Sequence, residues 1–484
     1  MRDLLLLGFI AILLATAIRF PFVGLLTWAW FTVMTPHQLA YDVFGLPLNM
    51  LIAAVTIGAF TYGGEIKNIR FGPISILIIL FAGWLCLAQF FSYLPENSAI
   101  FHDRLMKTIL FILLCIWGTT TKLRFHALTW TLVAGVGFYA LKGGLFTLAT
   151  LGEFRVQGLQ NTILEDNNHA GIAIATMLPL LLYLREQSEA KWVRHGLLIW
   201  FALSIVAILG THSRGAFLAL VAFGGVYWLR ANHKVTILAG CLVLLLPAIA
   251  FMPPKWIDRM TTITTASEDA SFSGRVDAWV INYKLAKANP LTGVGLRNSY
   301  EEKIAETVDV DRSKTAKAAH SIYFEILGGA GFVGLAIYLS IFVATFWKAW
   351  SFSTYGHHKN IEPWISDFGF YGSISLIIFA VGGASTSMEM WDGYLLIIAL
   401  IAASGNIVAR DQAARKLDRL QMHGLQGMRG KHVQASNEGV LEAGPKKSYR
   451  ISEKRRSGTR RPDRDKAANT RALRGSDLTP HRPR

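Results

Sequence analysis

Cysteine is nearly missing: the 484 residues hold 3. Cys86, Cys115 and Cys241 each fall inside an apolar run, with neither disulfide-framework nor metal-ligand spacing, so neither kind of cross-link organises this chain. No G-x-x-x-x-G-K-[ST] stretch occurs, which removes a phosphate loop and ATP-driven transport built on one. "GVG" at 293–295 is too short to serve as a nucleotide loop. Charge is also thin: Asp, Glu, Lys and Arg make up 17% of the residues, against 52% hydrophobic.

What the chain does have is apolar length. The runs 74–91, 109–117, 127–150, 172–183, 197–209, 235–252, 321–347 and 371–383 hold few charges. A bilayer core takes about 20 apolar helical residues, and only a helix or a closed barrel satisfies its own backbone there. The pattern predicts an all-α polytopic membrane bundle of about 12 to 13 transmembrane helices. The opening "MRDLLLLGFIAILLATAIRFP" has a signal-like apolar core but no small-residue cleavage site before a soluble domain, so it reads as a retained membrane segment. The helix count turns on "RFP": residues 4–18 and 22–35 form either a hairpin of two helices or one kinked span.

Short cationic connections mark the cytoplasmic side. They carry Lys67 and Arg70, then Lys122 and Arg124, then Arg185, Lys191 and Arg194, then Arg230 and Lys234, then Lys348 and Lys359. Between them lie connections poor in cations: 92–105, 151–169, 210–214, 252–319 and 387–392. The alternation divides the chain into an N-terminal transmembrane bundle (1–251), a large outer loop (252–319), C-terminal transmembrane helices (320–409) and a tail (410–484). Of the net charge of +16, the tail supplies 20 − 8 = +12. With few aliphatic residues it cannot bury a core and reads as disordered. A cytoplasmic basic tail against anionic lipid heads explains that charge better than nucleic-acid binding.

The long loop has structure of its own. "GRVDAWVINYKLAKANP" (274–290) spaces Val276, Trp279, Val280, Tyr283 and Ala286 as one helix face and stops at Pro290. Unusual polar residues gather on this outer side: Arg155, Asp166, Asn167, Asn168 and His169 in one loop, Arg214 at a helix start, Arg275 and Arg297 in the large loop, His320 at its end. An arginine near the hydrocarbon core costs roughly 2.5–3.5 kcal/mol on insertion scales, so Arg214 requires a counter-charge or water. It either snorkels and pins its helix or binds an anion, for which a guanidinium fork is suited. Arg275, opening a helix after "SFSG", adds free N–H groups to the second reading. Two such arginines on one face fit a pyrophosphate, with Arg297 a further substrate-binding cation. His320 is either a helix cap or, with a near-neutral pKa, a base that accepts a proton from an attacking hydroxyl. In "DNNHAG" (166–171) no matching carboxylate–histidine spacing supports a metal site, and hydrogen bonding to a polar substrate is preferred.

Three stretches taken together resemble the O-antigen ligase/polymerase superfamily of bacterial inner-membrane proteins: "THSRGAFLAL" (211–220), "SGRVDAWVINYKLAKANPLTGVGLRNSY" (273–300) and "AHSIYFEILGGAGFVGLAIYL" (319–339). The resemblance spans roughly residues 1–409. "TPHQLAYDVFGLPLN" and "DNNHAG" look like the subgroup of O-glycosylation ligases associated with exosortase systems. The resemblance implies a glycosyltransferase of the inner membrane, independent of metal and cofactor, using an undecaprenyl-pyrophosphate-linked glycan on its periplasmic face. It implies that Arg214 and Arg275 bind the pyrophosphate and His320 is the base, with Arg155, Asn167 and Asn168 on the donor side. A ligase would pass the glycan to a lipid or protein acceptor. A polymerase would extend a lipid-linked chain; a transporter of lipid-linked glycan is disfavoured by the lack of internal repeats. An export scaffold docking through the tail is a further reading.

Overall fold

The computed structural model describes the backbone of the chain apart from Met1, residues 41–42, 44, 231–232, 251, 262–269, 314–316, 357–360 and 442–484. Among the described residues the regular structure is helical throughout. In chain order the helices are α1 (Arg2–Arg19), α2 (Pro21–Met34), α3 (Leu48–Tyr62), α4 (Pro73–Phe90), α5 (Pro95–Gly118), α6 (Lys122–Ala149), α7 (Asn167–Gln187), α8 (Lys191–Gly210) and α9 (Arg214–Arg230). They continue with α10 (Lys234–Ala250), α11 (Pro254–Thr261), α12 (Ala270–Ala288), the single turns α13 (Glu302–Ala305) and α14 (Val310–Ser313), α15 (Ile322–Tyr355), α16 (Pro363–Gly383) and α17 (Asp392–Leu441).

Six helices among the described residues are long and apolar enough to cross a bilayer: α4, α6, α8, α15, α16 and Asp392–Gln421 of α17; α2 and α3 are shorter apolar helices. Many large side chains on these helices point outward, Leu80, Phe90, Ile199, Val343 and Trp347 among them, the surface expected of a protein solvated by lipid. At the N-terminus the hairpin is the alternative realised. Helices α1 and α2 meet at Phe20, and Phe9 packs edge-on against Trp30 at 5.5 Å between ring centroids. Of the expected tail, 410–441 continues as helical backbone and 442–484 lies outside the described residues.

The two sets of loops separate to opposite ends. At one end Arg124 clasps Glu65 through both guanidinium nitrogens (2.6 and 3.0 Å), and Arg410 donates to the Asn68 carbonyl at 2.6 Å. Arg230 donates to Ser353 there, and Gln187 to Asp367. At the other end the Tyr93 amide donates to the Val294 carbonyl (3.0 Å), the Val156 amide to Gly210 (2.8 Å), and Arg297 to Glu389 (3.2 Å). The cation-rich connections share one end and the cation-poor ones share the other, the segregation that the positive-inside pattern describes.

Small residues let the helices approach, as membrane bundles require. A Cβ on Gly144 of α6 would stand 2.4 Å from the Leu203 carbonyl oxygen of α8, and Trp200 of α8 donates to the Gly137 carbonyl at 3.0 Å. The most consequential departure from regularity is in α15, where Gly331 adopts φ 73°, ψ −175° and interrupts the helix. A broken helix leaves backbone groups unpaired, which is costly away from water. The turn 290–295 fills the break. Amides of Val294 and Gly295 donate to the carbonyls of Gly328 and Gly329 (3.0 and 3.1 Å), and the Phe332 amide donates to Pro290 (2.9 Å). Trp84 takes the Ala330 carbonyl at 3.0 Å. A Cβ on Gly293, itself at φ 64°, would stand 2.4 Å from the Gly328 oxygen. The glycines of "NPLTGVG" and "GGAG" are thus two halves of one joint, and it fixes the long loop against the start of α15.

Candidate active site

His320 sits immediately before α15, at φ 46°, in the left-handed region that ordinary side chains avoid. Its backbone is clamped from both sides. The preceding Ala319 amide donates to Glu325 Oε1 (2.9 Å), and the Ala319 carbonyl accepts from Trp279 Nε1 (2.7 Å). On the far side the Ser321 carbonyl accepts the Glu325 amide at 2.9 Å. Trp279 also stacks on Phe324, with 5.3 Å between centroids and 6° between planes. Strain of this kind persists only where the surroundings over-determine it. Of the six non-glycine residues at positive φ among the described residues, five (Leu151, Asn161, His212, Arg297 and His320) lie in the cation-poor connections or at their ends, and the sixth is Thr35.

Trp279 explains how Arg275 reaches the site. The two residues are one turn apart on α12, hence on one face, and Trp279 pins that face to residue 319. Burial first, and then the Arg275 charge, push the His320 pKa down to about 4. The near-neutral value expected from the sequence is thus not met: the imidazole is neutral at pH 7 and able to accept a proton, but as a weaker base than a solvated histidine.

His320 looks into a polar chamber of about 600 Å³ whose lining includes Asp166, Asn167, His169, Arg297, Tyr300 and Ser387. Helix α7 brings three of these. Asp166 caps it, accepting the amides of Asn168 (2.8 Å) and His169 (3.4 Å). Burial acts to raise the Asp166 carboxyl, but His169 and these amide donors outweigh it and hold the group below the usual range. His169 Nδ1 bonds the Ile163 carbonyl at 2.7 Å, while its Nε2 has no partner within the protein. Asn167 lines the chamber yet gives its amide to the Thr211 carbonyl (2.7 Å). Asn168 is held on both sides, donating to Asp166 and accepting from Ser213 Oγ (2.7 Å). The turn before Arg214 is thereby docked on "DNNHAG".

Arg214 is the first residue of α9, half-buried, just beyond the Ser213 hydroxyl that caps the Ala216 amide (3.1 Å). The next position is a close approach: a Cβ on Gly215 would stand 2.3 Å from Ser385 Oγ, so that hydroxyl would have to turn away. That close approach sets Arg214 beside the 385–390 segment, which supplies Ser387 and Met390 to the chamber. Arg155 is exposed in the segment that Val156 ties to Gly210. Arg155, Arg214, Arg275 and Asn168 are not among the lining side chains; His320, Arg297 and Asn167 are.

Two carboxylates escaped the sequence reading. Glu325, 3% exposed, accepts at one oxygen from Tyr300 (2.8 Å), Ser387 (2.7 Å) and the Ala319 amide. Glu389, also 3% exposed, receives Arg297 at 3.2 Å, and that guanidinium lies over Phe101, 4.7 Å from its centroid. Glu389 and Tyr300 raise the Arg297 pKa despite its burial. The signal for Glu325 was present: it is an acid one turn inside an apolar run. Glu389 stands in "SMEMWD", and nothing in the sequence pairs it with Arg297.

Fold and site define a polytopic helical membrane protein with a strained, half-buried histidine lining a polar chamber at one end of its bundle. Residues 199–339 match the O-antigen ligase family, and residues 1–189 match a family of unknown function (DUF5935). The first match holds Arg214, Arg275, Arg297, Tyr300, His320 and Glu325, and supports a membrane glycan ligase or polymerase of the O-antigen ligase superfamily. The second holds Asp166, Asn167 and His169. No curated protein matches the chain significantly.

Proposed function

We propose that the protein is a glycan ligase of the bacterial inner membrane that moves a preassembled glycan from undecaprenyl pyrophosphate to a hydroxyl of a protein or lipid on the periplasmic face. The observation that carries this reading is the clamped, neutral His320 between Arg275 and a polar chamber. Its Nε2 or Nδ1 takes the proton of the acceptor hydroxyl as that oxygen attacks the anomeric carbon. The bond from that carbon to the pyrophosphate oxygen breaks, and undecaprenyl pyrophosphate leaves with the electron pair. Arg275 and Arg214 stabilise the charge growing on the leaving oxygens, where fixed donors outperform water because they need no reorganisation. Arg297, Asn167 and Tyr300 face the sugar or acceptor side of the chamber, with Arg155 at the outer donor rim.

The test compares membranes holding wild-type and His320→Ala protein at matched abundance, scoring lipid-linked glycan consumed and glycan joined to acceptor. Loss of transfer by about 10²–10⁴-fold is expected when a general base is removed. Transfer at the wild-type rate would sink the assignment. Product length separates the chemistry further: a ladder that disappears in the variant identifies a polymerase, unchanged donor lengths a ligase.

A further inference from the structure

At the end of the bundle opposite His320, helices α4, α15 and α17 leave a slot of about 1030 Å³. The ends follow from the chain: α15 starts two residues after His320 and reaches the slot at Trp347 and Lys348, while α4 finishes beside Val294 and begins next to Arg70. The walls are apolar, with Leu77, Leu339, Val343 and Trp347 on two sides. On α17 the lining residues Ala402, Gly405 and Ala409 recur at three and four positions, so one face of that helix is kept low. Gly405 is used directly: a Cβ there would stand 2.9 Å from Lys348 Cε, so its absence leaves room for the lysine stem.

Two features say what the slot holds. Its lining carries two cations, Arg70 and Lys348, and neither Asp nor Glu. Glu65, on the same loop as Arg70, is already held by Arg124, and Arg410 adds positive charge by bonding Asn68. Moreover Ser75, 1% exposed and part of the lining, has a hydroxyl without a partner in the protein. An apolar slot inside a bilayer fills with hydrocarbon rather than water, and a basic rim then selects the head group. We propose that this slot is a specific site for one anionic phospholipid of the leaflet opposite the His320 chamber. An acyl chain lies between α4, α15 and α17, the phosphate faces Arg70 and Lys348, and Ser75 donates to a glycerol ester or phosphate oxygen. This site is independent of the transfer chemistry proposed above.

The experiment places the full chain in nanodiscs with equal amounts of phosphatidylglycerol and phosphatidylcholine, strips loosely held lipid with mild detergent, and counts retained lipid by native mass spectrometry. One phosphatidylglycerol per chain is expected in preference to phosphatidylcholine. Arg70→Ala and Lys348→Ala should each lower that preference about fivefold. Ala344→Phe, on a lining position of α15, should expel the lipid with both cations in place. Equal retention of the two lipids, an unchanged preference in the Arg70→Ala/Lys348→Ala double variant, or a lipid still bound in Ala344→Phe would each overturn the proposal. So would displacement of phosphatidylglycerol by inorganic phosphate, which would mark a bare anion site, or by undecaprenyl phosphate, which would name another occupant.

Discussion

The His320 chamber has a counterpart at the other end of the bundle. A cavity of about 580 Å³ there is lined by Glu186, Tyr227, Arg230, Asp367, Phe370 and Tyr371 among others. Size and residue types match those of the chamber, with arginine, carboxylates and aromatic rings in both. What differs is how far the groups are committed to one another. Arg230 donates to Ser373 (2.7 Å) and Ser353 (2.6 Å) and lies over the rings of Trp350 and Phe370. Tyr371 donates to Glu186, and Gln187 to Asp367. In the chamber, by contrast, His169 Nε2 and Arg297 Nε find no partner within the protein, nor does one oxygen each of Glu325 and Glu389, which bond its lining residues Tyr300, Ser387 and Arg297 from behind, and His320 and Arg297 hold positive φ. Buried polar groups left unpaired are expensive unless something arrives to meet them. Composition alone does not separate a structural polar cluster from a site; spare hydrogen-bonding capacity and backbone strain do.

That contrast is broken most severely at two cations outside the chamber lining. Arg275→Ala and Arg214→Ala are each expected to lower kcat by about 10²–10³-fold, the range for losing one donor to developing negative charge. Lysine at either position should recover little, since it cannot bond two phosphate oxygens at once. Single-turnover transfer with a fixed amount of lipid-linked glycan reads both. Full rescue by lysine would mean that only net charge matters, and the pyrophosphate geometry would be wrong.

Glu325 sharpens the comparison differently, because it holds the amide before His320 rather than touching substrate. Glu325→Gln keeps an oxygen for the Ala319 amide, Tyr300 and Ser387, whereas Glu325→Ala keeps none. We expect the alanine variant to lose transfer about tenfold or more beyond the glutamine variant, with kcat falling and KM little changed. Equal loss in both would show that the charge of Glu325, not its grip on the backbone, is what counts. The pH profile tests the same clamp. With the His320 pKa near 4, the base stays neutral down to that pH, so kcat/KM should hold from pH 7 to about 5 and fall only as pH approaches 4. A pyrophosphate bound beside the imidazole favours its protonated form, so the acid limb of kcat should lie higher than that of kcat/KM. An acid limb of kcat/KM at the ordinary imidazole value would mean that His320 is solvated and not held as described.

The all-helical membrane fold was legible because apolar length is a local property, readable within a window of about 20 residues. Loop charge likewise showed which connections share an end. Arg275, Arg297 and His320 were visible as polar residues in one long loop. Their assembly was not, because it depends on the joint between "NPLTGVG" and the break at Gly331, a contact between segments with no pairing signal of their own. Glu389 was hidden for the same reason: its partner Arg297 is 92 positions away. The asparagines show the reverse limit. Residue type suggested substrate hydrogen bonds, yet Asn168 spends its amide on Asp166 and Ser213.

The smallest expected effect on transfer belongs to the counterpart cavity. Arg230→Met removes two charged hydrogen bonds and two ring contacts, so it should cost roughly 2–4 kcal/mol of stability. Because these groups serve one another, transfer per folded molecule should change by less than about twofold, as for sites remote from the chemistry. Thermal unfolding in nanodiscs alongside single-turnover transfer separates the two quantities. A large loss of transfer with an unchanged Tm would reverse the contrast, making the cavity around Arg230 the one that governs turnover and the unpaired groups around His320 an expense without a function.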